Sequence, residues 1–333
     1  MFLVYLFSAL LSFSLALYLT PKVAETALKT GIVDKPDSSL KTHEKVTPYL
    51  GGLVIYVSFI LTLGFTIRFD VEIFAILLSS TIILVLGLID DIGALSPGVK
   101  MLGQLIAVFI IIKGGIYIKL IFLPEWISFI LTFLWLLGIT NAVNIIDIKD
   151  GLATGVIFVA SLFLFVISVT NENLLIAVLT ITLVGSLLGF LRYNWQPASI
   201  YLGDAGSMFI GFMLGALTIN GSYTQNNDIS ALAPVLLLGV PIFDTVLVSI
   251  VRLRKGMSPL LGSPDHFAHR LLKIGWSLNK IVLVSYFVSL ILGVTVLIVM
   301  SITDVIIATV IVLAVFTIGL ILVFMLACVR MTE

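Results

Sequence analysis

The stretch VLGLIDDIG, residues 85–93, ends a long apolar run with two adjacent aspartates, Asp90 and Asp91. A run of this length can cross a bilayer, where a carboxylate has to reach water or a partner. Across the 333 residues, 60% are hydrophobic and 11% are charged, against about 45–50% and about 25% in soluble domains. The composition therefore predicts a polytopic membrane protein.

Hydropathy over windows of about 19 residues predicts an all-α fold with eleven transmembrane helices. They lie at 2–20, 50–67, 73–89, 101–112, 125–143, 152–169, 174–191, 205–219, 230–251, 281–300 and 304–328. No linker rich in Pro, Ser or Gly separates them, so residues 1–333 are expected to form one integral membrane domain. The first segment lacks a basic region ahead of its apolar run and is expected to be an anchor, not a cleaved signal. The single cysteine, Cys328, excludes a disulfide framework.

Positive charge predicts the orientation. Eleven crossings place the loops after odd-numbered helices, and the C-terminal tail, on one side of the membrane. Of the 18 Lys and Arg residues, all but three lie on that side, the exceptions being Arg68, Lys113 and Lys119. Because positive charge in short loops stays cytoplasmic, the odd loops are predicted to face the cytosol and the N-terminus the outside.

The odd loops also carry the unusual polar residues. They contain DKPDSSLKTHEKVTPYLGG (34–52), DDIGALSPGVK (90–100), NAVNIIDIKDGLATG (141–155), RYNWQPASIYLGDAGS (192–207) and SPLLGSPDHFAHRLL (258–272). The even loops are short and chemically plain. The sequence therefore predicts that function concentrates at the cytoplasmic face.

Acidic residues cluster at this face. Asn144, Asp147 and Asp150 recur every third residue, which places them roughly on one face if the stretch is helical. Together with Asp90, Asp91 and Asp204, these carboxylates would repel one another unless a cation offsets them. The oxygen-dominated donor set favours Mg²⁺, with Mn²⁺ as the alternative ion.

Two further loops suggest anion binding. Gly203, Gly206 and Ser207 allow close approach where a helix begins, and backbone N–H groups there favour anions. His266 and His269 would share one helical face beside Arg270, which suits phosphate contact better than zinc because no HExxH pattern is present. An interfacial amphipathic helix is the alternative interpretation of this stretch.

These loops, taken in order, resemble the polyprenyl-phosphate N-acetylhexosamine-1-phosphate transferases of glycosyltransferase family 4. The resemblance covers nearly the whole chain, through KTHEKVTPYLGG, LIDDIGALSPGVKMLGQ, NAVNIIDIKDGLA, NWQPASIYLGDAGS, PIFDT and SPDHFAHRLL. It implies a Mg²⁺-dependent enzyme that transfers a sugar-1-phosphate from a cytosolic UDP-sugar to a polyprenyl phosphate lipid such as undecaprenyl phosphate. The products would be UMP and a lipid-linked pyrophosphoryl sugar for cell-envelope polysaccharide synthesis.

The resemblance also implies site residues. It places Asp90, as general base, and Asp91 at the lipid phosphate and metal, with Asp204 as the principal Mg²⁺ ligand. The remaining implied residues serve catalysis, the metal or the substrates: Asp147, Asp150, His266 and His269 in catalysis, Asp91 and Asp147 also at the metal, and Lys45, Lys100, Asn144, Asn194, Tyr201 and Arg270 in substrate binding. Of these, Asn194 and Tyr201 would contact the uracil base. Asp244 of PIFDT receives no role beyond supporting the site.

The chain departs from the family pattern at several positions. Relatives usually have Gly where this chain has Ile148, and Ile, Leu or Phe where it has Lys149. Ala268 replaces the middle histidine of the common H-x-H-H pattern. The triple-histidine pattern and the GTPTMGG segment of the pentapeptide-transferring branch are absent. The expected donor is therefore UDP-GlcNAc, with UDP-MurNAc-pentapeptide as the alternative.

Two alternatives come from other classes. An ion-coupled transporter would have acids near helix midpoints and often inverted repeats, whereas the acids here lie at helix ends on one side. A catalytically inactive scaffold is the second alternative, based on the departures above. The expected location is a bacterial-type plasma membrane. The expected partners are the two substrates and the membrane, a homodimer is left open, and no nucleic acid is expected.

Overall fold

The chain is almost entirely helical. The computed structural model describes residues 1–34, 47–93, 95–120, 123–258, 265–329 and 331. Within these ranges the only strands are two residues long, Val33–Asp34 (β1) pairing antiparallel with Thr47–Pro48 (β2). The helices are α1 Phe2–Thr30, α2 Gly51–Thr66, α3 Val71–Ile92, α4 Pro97–Lys113, α5 Glu125–Ile146, α6 Leu152–Thr170, α7 Leu174–Asn194, α8 Gly203–Ile219, α9 Ala233–Leu237, α10 Gly239–Arg254, α11 Phe267–Lys273, α12 Leu278–Ser301 and α13 Val305–Ala327.

Each of the eleven predicted segments coincides with a helix or with a bent helix pair, which confirms the all-α membrane fold. In the described ranges, seven helices are long and apolar enough to cross a bilayer. The bent pair, Asp228–Leu237 and Gly239–Arg254, turns by 73° and would be an eighth span. The apolar helices α2 and α8 are shorter. The count of eleven crossings and the side of each terminus stay predictions.

Helix α1 extends ten residues past the predicted end at residue 20. It runs through Pro21 to Thr30, where Gly31 closes it in the left-handed conformation with φ 77°. At 29 residues it is about 44 Å long, longer than the hydrocarbon layer of about 30 Å. Hydropathy detects the apolar part of such a helix and misses its polar continuation, which carries Lys22 and Lys29.

The chain divides into two compact units, Met1–Gly221 and Ser222–Glu333; the single domain predicted for residues 1–333 stays a prediction. In the first unit α8 is central, since α2, α3 and α5 all pack against it. Residues 205–218 of α8 are all buried, as expected for a helix that is apolar on every side. Around this centre, α1 and α6 pack on α7, and α4 packs on α3.

Two glycines bring α2 and α3 against the first turn of α8. A Cβ added to Gly52 would overlap the backbone of Gly206, and one added to Gly87 would overlap the backbone of Ala205. Small residues permit this close approach between membrane helices. As a result, the end of α3, which carries Asp90 and Asp91, lies directly beside the start of α8.

The second unit is held by buried polar contacts as well as by apolar packing. Asn227 donates hydrogen bonds to the carbonyl oxygens of Val299 (2.8 Å) and Ile302 (2.7 Å) at the end of α12. Arg270 on α11 donates from Nη1 to the carbonyl oxygens of Leu326 (3.0 Å) and Val329 (2.7 Å) at the end of α13. These bonds satisfy carbonyl groups that a helix end leaves without a partner.

Candidate active site

Lys100 stands between two carboxylates at the ends of three helices. Its Nζ lies 2.7 Å from Oδ2 of Asp90 and 2.7 Å from Oδ2 of Asp204. Asp90 is in the last turn of α3, Lys100 in the first turn of α4 and Asp204 in the first turn of α8. The structure therefore brings together three of the residues that the sequence predicts for the site.

The turn between α3 and α4 fixes this arrangement. Ser96 caps α4 by accepting a hydrogen bond from the Val99 N–H, and Pro97 occupies the first helical position. Asp90 Oδ1 accepts from the Leu95 N–H at 2.7 Å. Because the cap starts α4 directly after this turn, Lys100 points back toward the end of α3.

Asp91 binds the start of α8. Its Oδ1 accepts from the Asp204 N–H at 2.8 Å and its Oδ2 accepts from the Ala205 N–H at 3.0 Å. A Cβ at Gly203, where φ is +74°, would lie 2.7 Å from Asp91 Oδ2, so only glycine fits there. The anion that the sequence predicts at this helix start is thus a side chain of the protein itself.

Asn144 and Ser207 hold the other side of Asp204. The Asn144 amide nitrogen donates to Asp204 Oδ1 at 2.7 Å and lies 2.9 Å from Ser207 Oγ. Ser207 was not among the predicted site residues, although it lies in the glycine-rich motif that the sequence singles out. Asp204, whose side chain is about one third exposed, is therefore fixed from two directions while remaining accessible.

Asp147 and Lys149 follow the end of α5. Burial, together with the charges of Asp204, Asp91 and Asp150, raises the pKa of the Asp147 carboxyl well above its usual range. Burial lowers the pKa of the Lys149 ammonium, and the charge of Asp150 opposes this effect. The acidic side chains that the sequence predicts to cluster are thus close enough for their charges to repel one another.

Asn194 and Asp150 tie the loops after α5 and α7 together. Asn194 Oδ1 accepts from Thr154 Oγ1 (2.8 Å) and from the Gly151 N–H (3.2 Å), and its Nδ2 donates to the Ile200 carbonyl (3.1 Å). Asp150 Oδ2 accepts from the Ala198 N–H at 2.9 Å. Asn194 is buried, so its contacts in the structure are to protein groups; the uracil contact implied for it stays a prediction.

Tyr201, the other residue implied at the base, lies beside Tyr49, with ring centroids 6.0 Å apart. Its backbone N–H donates to the Pro48 carbonyl at 2.9 Å and its carbonyl accepts from the Gly51 N–H at 3.0 Å. The segment that leads into α2 is thereby joined to the segment that leads into α8. Lys45, predicted at the phosphates, lies outside the described residues.

The predicted residues after α10 contact one another within the second unit. His266 Nδ1 lies 2.8 Å from Oδ2 of Asp244, and the ring centroids of His266 and His269 are 5.9 Å apart. Asp265 Oδ1 accepts from Arg270 Nη2 and from Lys255 Nζ, each at 2.8 Å. Arg270 is almost fully buried, with its guanidinium engaged inside this unit. Its implied substrate contact stays a prediction.

A partly buried amide pair was not predicted from the sequence. Gln104 on α4 and Asn141 on α5 exchange hydrogen bonds, with Asn141 Nδ2 donating to Gln104 Oε1 at 3.0 Å and Gln104 Nε2 donating to Asn141 Oδ1 at 3.3 Å. Gln104 is one helical turn from Lys100, and Asn141 is one turn from Asn144. The signal was present, since amides inside apolar helices tend to bond to neighbouring helices.

The donors around Asp204 fit a hard divalent cation. The carboxylates of Asp204, Asp147 and Asp91 supply only oxygen atoms, which Mg²⁺ prefers. Mg²⁺ typically takes one or two protein carboxylates and completes its shell with water and substrate phosphates. Among the described residues, no group of three acidic, histidine or cysteine side chains forms a ready metal site. The oxygen donors of Asp204 and Asp147 match the one or two protein carboxylates that Mg²⁺ typically takes.

Comparison with known proteins adds an independent finding. The model of "Glycosyl transferase family 4" matches residues 73–222. A probable undecaprenyl-phosphate N-acetylglucosaminyl 1-phosphate transferase of Bacillus subtilis is 36% identical over 291 residues, covering 85% of this chain and 81% of the relative. A decaprenyl-phosphate N-acetylglucosaminephosphotransferase of Mycolicibacterium smegmatis is 33% identical, covering 81% and 75%. A phospho-N-acetylmuramoyl-pentapeptide-transferase of Bacillus thuringiensis is 31% identical, covering 78% and 86%.

Proposed function

The chain belongs to glycosyl transferase family 4, and from this premise we propose that it transfers GlcNAc-1-phosphate from UDP-GlcNAc to a polyprenyl phosphate. The reaction releases UMP and leaves a lipid-linked pyrophosphoryl sugar. We place it at the cytoplasmic face of the plasma membrane, because the acid-rich loops share their side with most of the positive charge.

The relatives support the donor. Two of the similar proteins are named as N-acetylglucosaminyl phosphate transferases, at 36% and 33% identity. A relative named for the muramoyl-pentapeptide donor is also similar, at 31% identity. UDP-MurNAc-pentapeptide is therefore the alternative donor, and the chemistry would be the same.

The observation that carries the proposal is the position of Lys100 between Asp90 and Asp204. These groups meet at helix ends, where a lipid head group within the bilayer and a nucleotide sugar from water can reach the same place. The Lys100 ammonium can contact a substrate phosphate, and the carboxylates beside it can bind the divalent cation that accompanies the phosphates. A purely structural ion pair would not need the additional acids Asp91 and Asp147 beside it.

The residues divide the work as follows in this proposal. Asp90 accepts the proton of the lipid phosphate, and Lys100 turns from Asp90 toward the incoming phosphates, which frees the Asp90 carboxylate. Asp204 and Asp147 would hold Mg²⁺, which would supply charge neutralisation and orientation of the phosphates when bound. Asp91 keeps the backbone of Asp204 in place, and Asn144 keeps its side chain in place.

The lipid phosphate oxygen then forms a bond to the β-phosphorus of the UDP-sugar, and the bond from that phosphorus to the bridging oxygen of UMP breaks. Asp150, Asn194 and Tyr201 shape the nucleotide-sugar side through the loops they join. His266 and His269 remain proposed catalytic residues. Lys45 and Arg270 remain proposed substrate-binding residues.

The test is an assay of UMP release. Full-length protein in detergent is mixed with undecaprenyl phosphate and, in parallel, with UDP-GlcNAc, UDP-MurNAc-pentapeptide or UDP-glucose, in Mg²⁺ or in chelator. We expect UMP release with UDP-GlcNAc, dependent on both the lipid and Mg²⁺. Release with UDP-MurNAc-pentapeptide alone would favour the alternative donor, and no release with any donor would overturn the proposal.

A further inference from the structure

Asp244 is a fully buried carboxylate on α10 whose two oxygens both serve the start of α11. Its Oδ2 lies 2.8 Å from Nδ1 of His266, and its Oδ1 accepts the Phe267 N–H at 2.8 Å. His266 is the residue that precedes the first turn of α11, and Phe267 is the first residue of that helix. One side chain therefore fixes both the backbone and the ring at this point.

The two contacts limit where the protons can lie. The Phe267 N–H can only donate, so Asp244 Oδ1 has to accept. An ionised Asp244 also accepts at Oδ2, and Nδ1 of His266 then carries the proton. In a neutral imidazole only one ring nitrogen is protonated, so Nε2 is left as a bare hydrogen-bond acceptor. A carboxylate that accepts the Nδ1–H of an imidazole, and so orients the ring, recurs in enzymes that use histidine as a base.

We propose that Asp244 is a positioning residue that holds His266 in the Nδ1–H tautomer and thereby presents Nε2 as an acceptor. A bare acceptor suits a hydroxyl group of the nucleotide sugar and does not suit an ionised phosphate, which has no hydrogen to donate. The contact with a substrate hydroxyl rests on the proposed function. The tautomer of His266 does not, because it depends only on contacts within the second unit.

Nuclear magnetic resonance tests the tautomer directly. The chain has 3 histidines, so full-length protein labelled with ¹⁵N-histidine in detergent micelles gives few ring signals. The variants His43→Gln and His269→Gln assign them. At pH about 8, where an ordinary imidazole is neutral, we expect the proton of His266 on Nδ1. A His266 ring protonated on Nε2, or on both nitrogens, would overturn the proposal.

The variant Asp244→Asn should invert the tautomer. The Phe267 N–H still needs an acceptor, so the new amide places its oxygen there and turns its NH₂ toward His266. Nδ1 then has to accept, and the proton moves to Nε2. Turnover of UDP-GlcNAc should fall about 10–100-fold, the loss that follows removal of a group orienting a metal-bound histidine.

The variant Asp304→Asn is a matched control, because Asp304 caps α13 in the same unit by accepting from the Ile306 and Ile307 N–H groups. It should leave the His266 signals and turnover unchanged.

An Asp244→Asn protein with the wild-type tautomer would overturn the role of Asp244. Inversion with full turnover would overturn the contact of His266 with substrate. If Asp244→Asn does not fold, the wild-type spectrum still decides the tautomer. A wild-type protein that turns over no donor would refute only the proposed function.

Discussion

The ammonium nitrogen of Lys100 lies 2.7 Å from Oδ2 of Asp204, so an ion pair joins the first turn of α4 to the first turn of α8. The same ammonium is shared with Asp90. Its loss leaves two carboxylates facing each other and removes a cation from the proposed phosphate site.

We therefore expect Lys100→Met to lower the initial rate of UMP release by about 10²–10³-fold, as for other single groups that stabilise transition-state charge. Lys100→Arg keeps the charge and should retain more activity. Lys113→Met, at the opposite end of the same helix, is the control and should behave like wild type. Equal rates for Lys100→Met and Lys113→Met would contradict a catalytic role for Lys100.

Removal of the metal is the second prediction. Chelator should abolish UMP release, and Mg²⁺ titrated back should restore it, because the acids around Asp204 need a cation to bind phosphates. Asp204→Asn should need more than about 10-fold more Mg²⁺ for half-maximal rate. Loss of a metal ligand should lower the metal affinity at least as much as loss of a group that supports the ligand. Asp70→Asn, which alters a helix cap on α3, should keep the wild-type Mg²⁺ dependence. An unchanged titration for Asp204→Asn would exclude it as a ligand.

A third prediction concerns the contact between α2 and α8. Gly52→Ala places a methyl group into the backbone of Gly206, and overpacking of this kind costs about 1–3 kcal/mol or more. The melting temperature and the activity should both fall. Gly64→Ala, in the same helix with no atom within 4 Å of the added carbon, should be neutral or slightly stabilising. Thermal unfolding in detergent compares the two; similar melting temperatures would mean that the close approach does not matter for stability.

The amide pair of Gln104 and Asn141 supports a fourth prediction. Gln104→Leu, Asn141→Leu and the double variant form a thermodynamic cycle that isolates the pair. We expect a coupling energy of about 0.6 kcal/mol, and at most about 1.7 kcal/mol, in unfolding measurements, the average and maximum found for hydrogen bonds between membrane helices. Gln104 lies one helical turn from Lys100, and Asn141 lies one turn from Asn144. Each single variant should therefore disturb these site residues and slow UMP release. Additive single effects would show that the pair is not coupled.

A fifth prediction follows from the raised pKa of Asp147. The folded chain keeps this proton to higher pH than the unfolded chain, so the stability that the group contributes is fully present below about pH 4. It is lost as the pH rises through the raised pKa. In chelator, the melting temperature of wild-type protein should decline over this window, and Asp147→Asn, which stays neutral, should decline less. Asp304→Asn should keep the wild-type slope, and an equal slope for Asp147→Asn would refute the assignment.

Much of the fold could be predicted because hydropathy reports directly on helices that face lipid or a buried core. All eleven apolar segments are helical, and the acids do cluster at helix ends, as Asp90 and Asp204 show. The bend between residues 237 and 239 was not predicted. The mean hydropathy of an apolar segment is the same whether its helix is straight or bent. The end of α1 was missed because its last turns are polar.

The pairings within the site could not be predicted, since they depend on how helices are rotated and how closely they approach. Asp91 faces the N–H groups of α8 and Asp90 faces Lys100, although the two are adjacent in sequence. Asp244 was identified only as a supporting residue. Its partners, His266 and Phe267, lie more than twenty residues further along the chain, and no periodic pattern links them.

The carboxylate of Asp91 on the first N–H groups of α8 has a consequence for the ionic requirements of the protein. The positive end of a helix is a fixed source of attraction for phosphates in many proteins, but here the protein's own carboxylate already neutralises it. The negative charge of the substrate phosphates then has to be neutralised by mobile basic side chains and by dissolved cations. In the proposed reaction, turnover should accordingly follow the free divalent cation concentration, so that a fall in magnesium would slow it even when both substrates are abundant.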